Sequence, residues 1–162
     1  MLITLGGVDK DNVTSKVLQA LKQCSLPADC EIIVVMGANA PWLEEVRTLA
    51  QTLPWSTSVM VGVSNMAQLM ADSDLAIGAA GATSWERCAL GMPTIMIVIA
   101  DNQRTIAKNL KSANAVECVG EMSELDDLSA VLADIDIKRM SLNAAKICDG
   151  SGAVKTAEVI CE

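Results

Sequence analysis

Short β-branched runs alternate with amphipathic segments along this whole chain, and that alternation limits its fold more than any other feature. Met1–Leu5 reads as a strand, and Asp11–Cys24 as a helix with Val13, Val17, Leu18 and Leu21 on one face. Glu31–Met36 is a second strand, followed by a helix over Pro41–Thr52 with Pro41 at its start. Thr57–Val61 reads as the third strand, Asn65–Asp72 as a short helix, Asp74–Ile77 as the fourth strand, and Thr83–Leu90 as a helix ended by Gly91. Thr94–Ala100, with its unbroken apolar character, suits a fifth strand buried on both faces. Gln103–Ser112 is a helix and Val116–Val119 a sixth strand. Helices fill the remainder at about Glu124–Ala133, Ile137–Ile147 and Ala153–Val159.

Such alternation implies a parallel sheet covered on both faces and joined by right-handed crossovers. The expected architecture is a Rossmann-like, doubly wound α/β domain of about six strands in the order 3-2-1-4-5-6. Its ligand crevice would lie outside the carboxyl ends of the first and fourth strands, where the winding reverses. The 162 residues, 51% of them hydrophobic, read as one domain without repeat, low-complexity stretch or linker. A domain of that size buries roughly 70% of the surface of its unfolded chain.

Charge and composition exclude several functions. Twelve basic against 20 acidic residues give a net charge of −8, which opposes a grip on nucleic acid or on an anionic membrane. The chain has no His, so it cannot carry a Ser-His-Asp or Cys-His triad, a His-based zinc site or a His general base. The six cysteines, Cys24, Cys30, Cys88, Cys118, Cys148 and Cys161, form no CxxC pair and read as buried reduced thiols. MLITLGG lacks a basic n-region, and Thr94–Ala100 is far too short to span a bilayer, so a cytoplasmic protein without a metal site is expected.

Glycines follow the two strands that border the crevice: Gly6-Gly7 after the first, Gly78 and Gly81 after the fourth. Glycine lets backbone N–H groups approach a ligand, and a following helix aims its positive end at the same point. The second loop, GAAGATSWE over residues 78–86, is therefore either an anion site suited to a diphosphate or a tight strand-to-helix turn. The GxGxxG fingerprint is absent and Gly37-Ala38-Asn39 stands where a ribose-gripping acid would follow the second strand, which disfavours NAD. Gly150-Ser151-Gly152-Ala153-Val154-Lys155-Thr156 lacks P-loop spacing and follows a helix, so it reads as a helix start.

Individual residues near these loops admit two readings each. Thr83-Ser84-Trp85-Glu86 matches a capping box, the reading its spacing favours, but Glu86 could equally accept both hydroxyls of a ribose. After the third strand, main chain in Gly62–Met66 could meet a base edge or form an ordinary loop with Met66 in the core. Asp101 or Asn102 could cap a helix, or Asn102 and Gln103 could bind a hydroxyl-rich ligand. Trp85 could stack on a ring, though core packing is the favoured reading; Trp42 and Trp55 read as packing at helix ends, and Arg87 as either a phosphate partner or a surface ion pair. The carboxylates of Glu121–Asp127 read as a solvated helix start.

Together these pieces resemble the second half of the GT-B (MurG-like) fold. Their wording is similar to that of the UDP-sugar hydrolases of pseudaminic acid biosynthesis and the related spore-coat polysaccharide proteins. Four stretches carry the resemblance over nearly the whole chain: ITLGGVDKDNVTSKVLQAL, VVMGANAPWLEEV, NMAQLMADSDLAIGAAGATSWERCALGMPTIMIVIADNQ and DGSGA. The resemblance implies that Gly81, Ala82, Thr83 and Ser84 hold the diphosphate of UDP and that Glu86 holds its ribose. It implies that Val63 meets the uracil edge with Met66 nearby, that Asn102 and Gln103 face the sugar, and that Gly6 and Gly7 line the interdomain cleft. The implied reaction is water attack at the anomeric carbon of a UDP-linked diacetamido-trideoxy sugar, with no cofactor. The proposed catalytic His of such proteins lies in a first half that this chain lacks. That half is the implied partner, and the chain alone is expected to bind UDP weakly and hydrolyse nothing.

Overall fold

A computed structural model describes residues 1–121, 125 and 128–161. Six strands form one parallel sheet: β1 Leu2–Thr4, β2 Glu31–Met36, β3 Ser56–Val61, β4 Ala76–Ala79, β5 Thr94–Val98 and β6 Glu117–Glu121. Their order is β3-β2-β1-β4-β5-β6, all neighbours running parallel, as the alternation demands. The helices are α1 Val13–Leu21, α2 Leu43–Ala50, α3 Met66–Ala71, α4 Thr83–Ala89, α5 Arg104–Ser112, α6 Leu128–Asp134, α7 Ile137–Ile147 and α8 Gly152–Cys161. One 3₁₀ turn, Asp101–Gln103, precedes α5.

The sheet is covered on both faces because successive side chains of a strand point to opposite sides. On β5, Ile95 and Ile97 join the largest core cluster with Val17, Leu18 and Leu21 of α1, while Met96 between them packs with Ala107 and Leu110 of α5 and Ala144 of α7. On β1, Ile3 faces the first cluster and Leu2 a third one with Met70 and Met92. Full burial of such side chains is worth about 1.5–3 kcal/mol each. Helix α8 stands apart: none of its residues is buried, and Val154, Val159 and Ile160 are exposed.

Most expected elements match to within a few residues, and α7 matches at both ends. The fourth strand is displaced. It spans Ala76–Ala79, two residues beyond the expected Asp74–Ile77, because Gly78 and Ala79 pair with Thr4 on one side and Met96 and Ile97 on the other. Gly78 is thus a strand residue and not a turn glycine. The expected sixth helix begins at Leu128, and the start placed at Glu124 lies outside the described residues. So do most of the carboxylates of residues 121–127 read as its solvated start. The cysteines are all free, but only Cys24 and Cys88 are buried, and Cys161 is exposed. Burial raises the thiol pKa of Cys24, Cys30, Cys88 and Cys118 above the usual range.

Candidate functional site at the carboxyl edge of the sheet

Parallel strands deliver the segments that follow them to one edge. Thr4 lies opposite Gly78, Ala79 opposite Ile97, and Met36 opposite Val61. Gly6-Gly7, Gly37–Asn39, Gly62–Met66, Ala80–Ser84 and Asp101–Gln103 therefore emerge side by side. The loops are also tied together: the Gly37 amide donates to the Gly7 carbonyl at 3.1 Å and the Gly62 amide to the Met36 carbonyl at 3.2 Å.

In the β1–α1 loop, Gly6 has φ 101°, a left-handed conformation that glycine adopts without strain, and Gly6, Gly7 and Val8 are exposed. The turn is closed by Asp9, which is 6% exposed. Its two carboxylate oxygens accept from the amides of Val13 and Thr14 at 2.8 and 2.9 Å. The positive end of α1 is thus occupied by an anion of the chain itself. Sequence reading missed this residue, placing the helix start at Asp11. The signal was an acid four residues before the first periodic apolar position, Val13. Helix α2 braces the same loop, with Trp42 Nε1 donating to the Lys10 carbonyl at 3.0 Å and Asn12 Nδ2 to Glu45 Oε1 at 2.7 Å.

The β4–α4 loop is built in the opposite way. Ala82 has helical angles, φ −57° and ψ −35°, and no side chain caps α4. The capping box expected of Thr83 and Glu86 is therefore not formed, because the residue before Thr83 is already helical. Ser84 donates its amide to Gly81 and Trp85 to Ala82. Among the described residues, the amides of Gly81, Ala82 and Thr83 reach no protein acceptor. Glu86 lies on the exposed face of α4.

Beneath this loop sits Arg87, 1% exposed. Its Nη2 donates to the Ala79 carbonyl at 2.6 Å and to Ser84 Oγ at 3.2 Å. The guanidinium rests on Gly78, where a β-carbon would collide with it. Burial pulls its pKa down to about 10. Arg87 is therefore not the surface ion pair that its sequence context allowed. Spacing explains the error. Ser84, Arg87 and Cys88 form the inward face of α4, which turns Trp85 outward at 43% exposure and not into the expected core.

The remaining candidates have simpler settings. Val63 and Met66 are half-buried against Met70 and Met92. Asn102 is exposed, while the Gln103 side-chain oxygen accepts from the Ile99 amide at 3.1 Å, leaving its NH₂ end for other partners. Neither Asp101 nor Asn102 caps the following helix, and Asp101 instead pairs with Arg104 at 3.1 Å. At the opposite edge of the sheet, a hollow of about 470 Å³ is lined by Asp29, Glu31, Asp72 and Asp74, a charge pattern that repels anions. Among the described residues no cluster of metal-ligating side chains occurs, and no helix is long and apolar enough to cross a membrane.

Strand order and a loop-lined carboxyl edge define a Rossmann-like α/β domain. The chain belongs to the glycosyltransferase family 28 C-terminal domain family, whose model matches residues 1–160. It is 26% identical over 168 residues to the spore coat polysaccharide biosynthesis protein SpsG of Bacillus subtilis, covering 99% of this chain and 49% of that protein. Among solved structures, MurG of Acinetobacter baumannii matches with a TM-score of 0.80 at 21% identity, over 98% of this chain and 48% of MurG. S. aureus MnaA, solved with UDP, matches with a TM-score of 0.68 at 16% identity, over 98% of this chain and 45% of that one. The chain thus spans about half the length of SpsG.

Proposed function

We propose that this chain is the UDP-holding domain of an enzyme that acts on a UDP-linked sugar, with the β4–α4 loop as the diphosphate cradle. One observation carries the reading: three neighbouring amides at Gly81, Ala82 and Thr83 have no acceptor among the described residues, in a loop whose flanking residues Ala79 and Ser84 both bond a buried cation. Ser84 contributes by anchoring the loop to Arg87. Glu86, left uncapped and exposed, accepts the ribose hydroxyls, each charge-assisted bond being worth about 1.5–3 kcal/mol. Main chain at Val63 meets the uracil edge beside Met66, Asn102 and the free end of Gln103 face the sugar, and Gly6 and Gly7 line the cleft. The match to SpsG over half its length and the UDP in the MnaA structure both support this assignment.

The chemistry follows from what the loop can stabilise. As the anomeric C–O bond breaks, negative charge builds on the departing diphosphate, and fixed amides beside a buried cation lower that barrier. The chain offers no His base, so a second half supplies the group that activates the attacking oxygen. With water as the acceptor the enzyme is a hydrolase of a UDP-diacetamido-trideoxy sugar, a cytoplasmic step of polysaccharide building. With a hydroxyl acceptor it is a glycosyltransferase, a second reading that the family 28 match and the MurG likeness favour.

Calorimetric titration with UDP tests the site. The isolated chain binds near the millimolar range, about −4 kcal/mol, and Glu86→Ala weakens that binding at least tenfold. Equal binding by the variant removes Glu86 from the site. Nanomolar binding by the isolated chain would instead mark a self-sufficient nucleotide-sugar-binding module.

A further inference from the structure

We infer that Arg87 is the buried counter-charge of the bound diphosphate and the positioning residue that holds residues 80–84 in their anion-binding form. The inference rests on the UDP reading above and goes beyond it, because it ties affinity to the charge of the ligand.

Three observations converge. First, the guanidinium bonds the Ala79 carbonyl at one end of the loop and the Ser84 hydroxyl at the other, so a single side chain sets the loop's span. Second, Gly78 sits inside a strand, where any larger residue would strike the guanidinium, so the backbone makes room for this cation. Third, the charge is unpaired, with the exposed Glu86 next to it acting only through space. Among the described residues no carboxylate lies within ion-pair distance of Arg87, and its Nε has no hydrogen-bond partner despite full burial.

A buried cation without a counter-ion is costly, whereas an uncharged side chain of similar volume would fill the same space without that cost. The lowered pKa reflects that cost. Packing alone therefore gives no reason for an arginine here. An anion arriving at the amides of Gly81, Ala82 and Thr83 supplies the missing charge, and low dielectric below the loop strengthens the attraction. The ligand this selects is a phosphate chain of high charge, a diphosphate in preference to a neutral nucleoside.

NMR titrations of the unaltered chain, Arg87→Met and Arg87→Lys with UDP, inorganic pyrophosphate and uridine test this. In Arg87→Met, UDP and pyrophosphate bind at least tenfold more weakly while uridine stays within about twofold. Arg87→Lys, which keeps the charge but not the fork, recovers a substantial part of the loss. The ligand-free thermal midpoint of Arg87→Met stays at or above that of the unaltered chain, which a merely structural arginine would not allow. Pyrophosphate binding by Arg87→Met at unaltered strength, or an equal loss for uridine, overturns the inference. If Arg87→Met does not fold, Arg87→Lys decides: retention within about fivefold supports the role, and a tenfold loss overturns it. If the unaltered chain binds neither UDP nor pyrophosphate, the nucleotide reading itself falls, and this role with it.

Discussion

After β1 the chain caps its own helix, and after β4 it leaves the cradle open. In the first loop Asp9 gives both carboxylate oxygens to Val13 and Thr14 of α1. In the second no side chain caps α4, three amides have no acceptor among the described residues, and the buried charge is positive. Both loops follow central strands, both carry glycines, and both precede helices. The difference is the sign of the group the fold invests in each. A loop that already holds a carboxylate has little affinity left for a second anion, whereas a loop backed by an unpaired guanidinium is completed by one. Glycine content marks where a chain turns, and the nearest buried charge decides what the turn can bind.

The comparison breaks most sharply at Gly78. Gly78→Ala drives a methyl group into the guanidinium and costs about 1–3 kcal/mol of stability. It also abolishes UDP binding, which chemical denaturation and calorimetry read separately. Asp9→Ala strikes the other loop. It frees two buried amides and costs about 0.5–2 kcal/mol in a urea melt, yet leaves UDP affinity within about twofold. UDP at about ten times its Kd stabilises the unaltered chain by about 1.4 kcal/mol, and Arg87→Met by much less, as thermal melts report.

Two pH effects sharpen the contrast further. Arg87 in the free chain loses its proton around pH 10, so pyrophosphate affinity falls more steeply as pH rises through about 10 in the unaltered chain than in Arg87→Met. The same depressed pKa means that the ligand-free chain gains stability from this group as pH rises above about 10, where the unfolded chain holds more protons. The smallest effect lies far from both loops. Asp149, held below the usual carboxylate range by Lys155 and Ser151, anchors the start of α8. Its support is present above the unfolded pKa and is lost as pH falls through the lower folded one. Acid titration followed by NMR therefore loosens α8.

Much of this architecture is legible in the sequence because periodicity reports burial. The run from Thr94 and the stripe of Val13, Val17, Leu18 and Leu21 each give their element and its buried face. The strand at Ala76–Ala79 is not legible in the sequence, because alanine and glycine carry little strand propensity and pairing to β1 and β5 overrides it. Site residues were readable as loop positions, but the polarity of the loops was not. Asp9 and Arg87 are both charged residues of a kind that usually faces solvent, and only the fold shows them buried. The Thr83–Glu86 pattern fitted a capping box, and the helical backbone of Ala82 excludes one.

On this reading the β4–α4 loop, and not the β1–α1 loop, holds the phosphates. Backbone amide shifts of the ¹⁵N-labelled chain during a UDP titration test it most directly. Saturable shifts are expected at Gly81, Ala82 and Thr83, with Val13 and Thr14 unmoved. Shifts centred on Val13 and Thr14, or no saturable shift at residues 81–83, would contradict it.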